Sequence, residues 1–243
     1  MAFRYEAIGP SGSSVSNTID AGSLAFACTS TQRENIRDIV LTHTHLDHIA
    51  GLPLFIDDLF ATLTEPLRIY ALKDVLEVLE RDIFNWSVFP RYSELSTNGS
   101  PVVRYQSVEI GRQFNVADLS FTAIGASHKV PSSGFIVSDG KSQIAITGDT
   151  SSLAGLKDGI ASLDRLHAIV VECAFPNELE ELAVVSHHMT PAILANELKG
   201  LRPTCPVYVI NIKPNYRDAV VAQLLGLSIS GLEVMTVGKF YDW

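Results

Sequence analysis

A layered α/β fold is what this sequence predicts, and three observations carry that expectation. Short runs rich in Val, Ile and Phe alternate with longer amphipathic stretches along the chain, the pattern of strands and helices stacked in layers. Of the 243 residues 47% are hydrophobic, enough for a substantial buried core. No internal repeat, low-complexity tract or long linker interrupts the pattern, so residues 1–243 are expected to form a single domain.

Seven apolar or alternating runs, each ended by a turn or polar residue, read as strands: IRDIVLT, RIYAL, LSFTAIGA, GFIVSD, SQIAIT, AIVVECA and PVYVINI. Helices are fewer. PLFIDDLFATL is one, and LKDVLEVLERDIF sets Leu72, Val75, Leu76, Leu79 and Ile83 on one face at helical spacing. TPAILANELKG has the clearest ends, with Thr190 as N-cap, Pro191 at the first helical position and Gly200 past the last. SELSTNGSP, residues 93–101, reads as an extended polar loop.

Lys and Arg total 18 against 27 for Asp and Glu, a net charge of -9, so broad attraction to nucleic acid is not expected. A small anionic substrate would need a local positive centre. The opening MAFRYEAIGPSGSSVSN lacks a basic segment followed by an apolar one, and no apolar run approaches the ~20 residues of a membrane helix. The expectation is a soluble, cytoplasmic protein with no membrane partner. Cys28, Cys173 and Cys205 are odd in number and widely spaced, which suits core packing rather than disulfides or a paired-thiolate zinc motif.

Chemistry concentrates in VLTHTHLDHIAGLPLF, which packs His43, His45, Asp47 and His48 into six positions. That spacing cannot set all four on one face of a strand or helix, so a loop at the C-terminal end of the IRDIVLT strand is expected. There a rigid sheet aims several side chains at one point. Neutral imidazoles with a carboxylate suit zinc, manganese or iron. Further donors belong at other strand ends, where His128 follows LSFTAIGA and Asp149 follows SQIAIT.

THTHLDHIAGLPL, the SH before VPSSGF, and ITGDTS, in that order, resemble the metallo-β-lactamase fold. Within it, HLDHIAGLPL, FPNELEELAVVSHHMTP and VYVINIKPNYRD are similar to the class II cyclic-nucleotide phosphodiesterase family, over about residues 19–222. The resemblance implies an αββα four-layer sandwich with metals in a cleft along one edge. It implies that His43, His45 and His128 hold one metal, Asp47 and His48 a second, and that Asp149 bridges them. The family's last ligand is a histidine where this chain has Asn211, a neutral, hard oxygen donor and a poor ligand for zinc. A weakened second metal, a one-metal centre and an impaired enzyme that only binds metal or senses a ligand all stay open. The cofactor is then one or two divalent ions, zinc first, with manganese or iron as alternatives.

The same resemblance implies roles in proton transfer and binding. His188 matches a histidine that protonates the departing sugar oxygen or holds the phosphate. Glu172 orients it by accepting its second ring proton, Asp47 helps to orient the nucleophile, and Lys213 touches phosphate. His187 has no counterpart, and His167 is expected at the surface. The implied activity is attack of metal-bound hydroxide on a 3′,5′-cyclic nucleotide such as cAMP or cGMP, giving the 5′-monophosphate. The substrate is a small molecule, and a homodimer is compatible with it. The tRNA 3′-end endonuclease branch is the rival, disfavoured by the acidic charge and the lack of a basic, Gly-rich arm. Thioester or β-lactam hydrolysis rests on fold analogy alone.

Overall fold

Ile36, Ile39 and Val40 are wholly buried, as they must be in a strand covered on both faces, and the IRDIVLT run forms the strand Ile36–Val40. The computed structural model describes residues 3–8, 14–161, 163 and 166–242. Two units divide the chain, one built on residues up to Glu109 with Phe114–Leu119, the other on Ile110–Gln113 and the residues from Ser120 onward.

The first unit's sheet has the spatial order Phe3–Ile8, Ser14–Ile19, Ile36–Val40, Leu67–Leu72, Val103–Val108. The first pair is antiparallel and the rest are parallel. Parallel neighbours need crossovers, supplied here by short helices: Ser30–Asn35, with a Thr29–Gln32 capping box, and Leu52–Leu59. Ile39, Leu41, Phe55, Ile69, Phe84 and Tyr92 belong to one core cluster. Each such fully buried apolar side chain stabilises the fold by about 1.5–3 kcal/mol.

LKDVLEVLERDIF buries Val75, Leu76 and Leu79, with Leu72 and Ile83 packed on the same core. The α-helix spans only Lys73–Val78, however, and continues as a π turn over Leu79–Ile83. Residues 93–101 are more ordered than expected. They hold part of the turn Tyr92–Glu94 and an antiparallel pair, Ser96–Thr97 with Ser100–Pro101. Asn98 (φ 50°) and Gly99 (φ 78°) close that pair as the two left-handed residues of a tight hairpin.

Six of the seven strands of the second sheet run Leu232–Val234, Val207–Ile210, Ala168–Glu172, Gln143–Ile146, Ser133–Ser138, Leu119–Gly125. Its first four strands are parallel and the last two join antiparallel. The runs before Asp149, before Asn211 and ending in Glu172 therefore point the same way and finish at one edge. Leu156, Leu194, Leu198, Val220 and Leu224 bring three helices onto this sheet.

Thr190 caps Pro191–Leu201 by accepting the Ile193 N–H. Gly200 lies inside that helix rather than past it, and Arg202, at φ 50°, takes the left-handed position usually given to glycine. Cys173 is buried, while Cys28 and Cys205 are half-buried against the cores of their units. Among the described residues no helix is long and apolar enough to cross a membrane.

Candidate functional site

In the first unit the chain leaves the sheet after Val40, and His43 lies buried in the extended segment beyond it. Asp47 and His48 are not on a loop, as the spacing suggested, but on a single helical turn, Leu46–Ile49, whose N-cap is His45. The turn forms because His48 N–H donates to the His45 carbonyl at 2.9 Å and Ala50 N–H to the Leu46 carbonyl at 2.7 Å. It gathers the imidazoles. The His43 ring centre lies 4.8 Å from that of His45 and 4.1 Å from that of His48, and His48 Nε2 is 3.9 Å from the Asp47 carboxylate.

A buried carboxylate that the sequence did not single out orders this group. Asp20 follows the strand Ser14–Ile19 at φ 61°. It accepts the Thr42 N–H at 2.8 Å, the Thr42 hydroxyl at 2.9 Å and His48 Nδ1–H at 2.6 Å. Because the Thr42 hydroxyl proton goes to Asp20, the 2.9 Å contact to His43 makes His43 Nδ1 the donor. Both buried rings are thereby fixed in the tautomer whose basic nitrogen is Nε2, the arrangement that carboxylates and hydroxyls impose on metal-ligating histidines. Gly51 permits the close approach. A Cβ there would lie 2.6 Å from the Ala21 carbonyl oxygen and 2.9 Å from Leu24 N, and Ala21 N–H donates to the His48 carbonyl at 2.7 Å.

In the second unit His128, Asp149 and His188 each present a ligand atom, all within 4.8 Å of one another. His128 Nδ1 donates to the His187 carbonyl at 3.0 Å, again leaving Nε2 as the basic nitrogen. His187 ends the helix Glu180–Ser186 in a left-handed conformation, φ 57°, so its contribution comes from the backbone. Asp149 is buried after Gly148, whose φ of 63° makes the turn. Asn211, also left-handed at φ 52°, donates Nδ2–H to Asp149 Oδ1 at 2.6 Å.

Glu172 is fully buried and saturated with donors. Oε1 accepts His188 Nδ1–H at 2.8 Å and Thr150 N–H at 3.0 Å, while Oε2 accepts Ala174 N–H at 3.0 Å and Met189 N–H at 3.3 Å. Burial pushes its carboxyl up to about 6, with the Asp149 charge adding to the rise and the His188 hydrogen bond opposing it. Burial alone would lower the His188 imidazolium. The hydrogen bond that His188 donates to Glu172 and the charges of Glu172 and Asp149 outweigh burial and the opposing charge of Lys213, so its pKa is raised. Lys213 is thus within electrostatic reach of His188. Cys173, beside Glu172, is an inert thiol, pushed far up by burial and by that charge.

Each unit therefore brings its expected residues together: His43, His45, Asp47 and His48 in the first, His128, Asp149, Glu172, His188, Asn211 and Lys213 in the second. His167 departs from the surface expectation. It is half-buried, and its Nδ1 accepts the Gln143 N–H at 3.0 Å. Asp20, Thr42 and the His187 carbonyl were missed. For Asp20 a signal existed in NTIDAG, where an acid ends a strand-like run before a small-residue turn. Imidazoles locked with a basic Nε2, next to carboxylates, make a donor chemistry that fits a divalent transition-metal ion.

The family profile described as "Beta-lactamase superfamily domain" matches residues 19–209. The chain is 28% identical over 222 residues to a Yersinia pestis protein named "Probable 3′,5′-cyclic-nucleotide phosphodiesterase", covering 81% of this chain and 62% of that one. It is 30% identical over 108 residues to "Nuclear ribonuclease Z" of Triticum aestivum, covering 44% of this chain and 57% of that one. It thus spans about three-fifths of the length of these relatives. Among solved structures it is similar to the metallo-β-lactamase fold protein YhfI of Bacillus subtilis, with a TM-score of 0.70 at 16% identity over 92% of this chain and 86% of that one.

Proposed function

This chain belongs to the beta-lactamase superfamily domain family and has the metallo-β-lactamase fold, and from that premise we propose that it is a metal-dependent phosphodiesterase hydrolysing 3′,5′-cyclic nucleotides. In this proposal residues 1–243 act as one hydrolase domain. His43, His45 and His128 would hold one divalent ion and Asp47 and His48 a second, with the Asp149 carboxylate available to both. Bound ions supply a nucleophile at neutral pH and neutralise phosphate charge.

The observation that carries the proposal is the buried pair His188–Glu172 at 2.8 Å. Breaking the P–O3′ bond leaves an alkoxide that needs a proton. His188, its Nδ1–H held by Glu172 at 2.8 Å and its imidazolium favoured by that carboxylate, offers an Nε2 proton to that oxygen. Water adds to phosphorus, O3′ leaves protonated, and the product is the 5′-monophosphate. Asp47, exposed on its turn, orients the nucleophile, and Lys213 offers the phosphate a cation. The name of the Yersinia relative supports the substrate class.

Ribonuclease Z-like cleavage is the second reading, favoured by the wheat relative and disfavoured by the net charge of -9. A substrate panel on metal-reconstituted protein separates them: cyclic AMP, cyclic GMP, a simple phosphodiester, precursor tRNA and a β-lactam. Turnover of the cyclic nucleotides above the others is expected. Cleavage of precursor tRNA without cyclic-nucleotide turnover would replace the proposal with its rival.

A further inference from the structure

The helical turn that carries Asp47 and His48 has an apolar side. Leu46, Ile49 and Ala50 form one wall of a cavity of about 280 Å³, completed by Pro53, Leu54, Ile83, Val88 and Phe89. No charged side chain lines it, and Leu46, Leu54 and Val88 are exposed at its mouth. Its size is just below the roughly 300–1,000 Å³ of whole small-molecule sites, which suits one part of a ligand whose remainder lies elsewhere.

The far wall is held in place before any ligand arrives. Asn85 Oδ1 accepts the N–H groups of Ser87 and Val88 at 3.0 and 2.9 Å, and Phe89 N–H donates to the Ile83 carbonyl at 3.0 Å. Arg91 ties the loop's end to Glu80 and Glu94. The Phe89 ring leans on Tyr92, 6.3 Å between centres, and buried Tyr92 donates its hydroxyl proton to Asp57 at 2.8 Å. Trp86 sits at φ 69°, costly for a bulky residue and sustained only where the surroundings over-determine it.

We propose that this cavity is the subsite for the substrate's heteroaromatic base, with Phe89 as the wall on which it stacks; the inference rests on the phosphodiesterase reading above. A nucleotide has one anionic end and one flat, uncharged end. Here a single helical turn has metal-ligating residue types at Asp47 and His48 and apolar ones at Leu46 and Ile49. A wall without charged groups favours stacking over hydrogen-bond readout, and stacking is tolerant because every base offers a π face. Cyclic AMP and cyclic GMP are therefore turned over within a few-fold of each other.

The test compares kcat/KM for cyclic AMP with that for base-free ribose 3′,5′-cyclic phosphate in metal-loaded wild type, Phe89→Ala and Val88→Asp. Calorimetric binding of adenosine 5′-monophosphate is measured alongside. Losing one stacked base contact is worth roughly 5- to 150-fold, so the preference for cyclic AMP should fall by about tenfold or more, chiefly through KM. Val88→Asp, at the exposed mouth, keeps the test decisive if Phe89→Ala unfolds. Hydrolysis with an unchanged preference would overturn the subsite and leave the activity standing. No hydrolysis, but nucleotide binding weakened about tenfold by either variant, would keep the subsite and remove the activity. Absence of both, or binding indifferent to both variants, would remove the subsite.

Discussion

Asn211 donates its side-chain amide to Asp149 at 2.6 Å, so at this position a carboxylate receives a hydrogen bond where the phosphodiesterase resemblance implies a histidine ligand. The amide oxygen is the only donor atom Asn211 has for a metal, and it is a hard, neutral one.

Asn211→His should therefore raise the number of metal ions bound per chain, read by elemental analysis after dialysis, and the phosphodiesterase rate with it. The left-handed φ of 52° is one that histidine adopts more readily than most residues, so the backbone tolerates the change. An occupancy equal to wild type would take Asn211 out of metal binding.

His188→Ala should lower kcat by roughly 10²- to 10⁴-fold if the imidazole delivers the proton, with metal content retained. Loss of metal instead would make His188 a ligand alongside His128 and Asp149, near which it lies. A kcat loss under tenfold with full metal content would leave it only a positioning role.

The Glu172–His188 pair should leave a mark on the stability of the metal-free protein. Both groups are raised above their ordinary values of 4.5 and 6.5, so both hold protons more tightly folded than unfolded. Their contribution is complete below 4.5. It declines as pH rises through about 6 for Glu172, and again as pH passes through the raised value of His188. Melting temperatures between about pH 5 and 8 should consequently fall less steeply for Glu172→Gln than for wild type. Parallel curves would show that the pair is not titrating there.

Asp20→Asn keeps the size of the buried acceptor but removes the charge that holds His48 Nδ1–H at 2.6 Å. Metal affinity, followed by chelator competition, should drop about 10- to 100-fold, as for other partners behind metal-bound histidines. Affinity within twofold of wild type would confine Asp20 to folding.

Gly51→Ala drives a methyl group against backbone at Ala21 and Leu24, where no rotamer change gives relief. A cost on the order of 1–3 kcal/mol is expected in urea unfolding, with weaker metal binding because Ala21 is hydrogen-bonded to His48. An unshifted midpoint would mean that the Ala21–Leu24 segment gives way freely.

All seven strand runs read from the sequence form strands, because each is either a continuous apolar run or a strict alternation, and neither fits a helical period. Phe3–Ile8, Ser14–Ile19 and Val103–Val108 went unread; FRYEAI, SVSNTI and VRYQSV intersperse polar residues and lack a sustained apolar signature. The helix Arg217–Gly226 was missed for a similar reason, burying only Val220 and Leu224. The histidine cluster was legible because four donor residues in six positions have few structural uses. Asp20 was not, since its value depends on a partner 28 residues away and a lone acid after a strand has many uses. The π turn left no trace in an apolar spacing that an ordinary helix satisfies equally well.

In the proposed base subsite, that π turn, Leu79–Ile83, would tie the shape of the cavity wall to chain length. A π turn holds one residue more than an α turn, so deleting a single codon within it would restore the ordinary ladder and rotate the chain beyond it by about 100°. Ile83, Val88 and Phe89 would be re-aimed together, while the strand Leu67–Leu72 and the turn bearing Asp47 and His48 lie upstream and keep their places. A one-residue indel here would thus reshape the cavity wall formed by Ile83, Val88 and Phe89 with no substitution among the histidines.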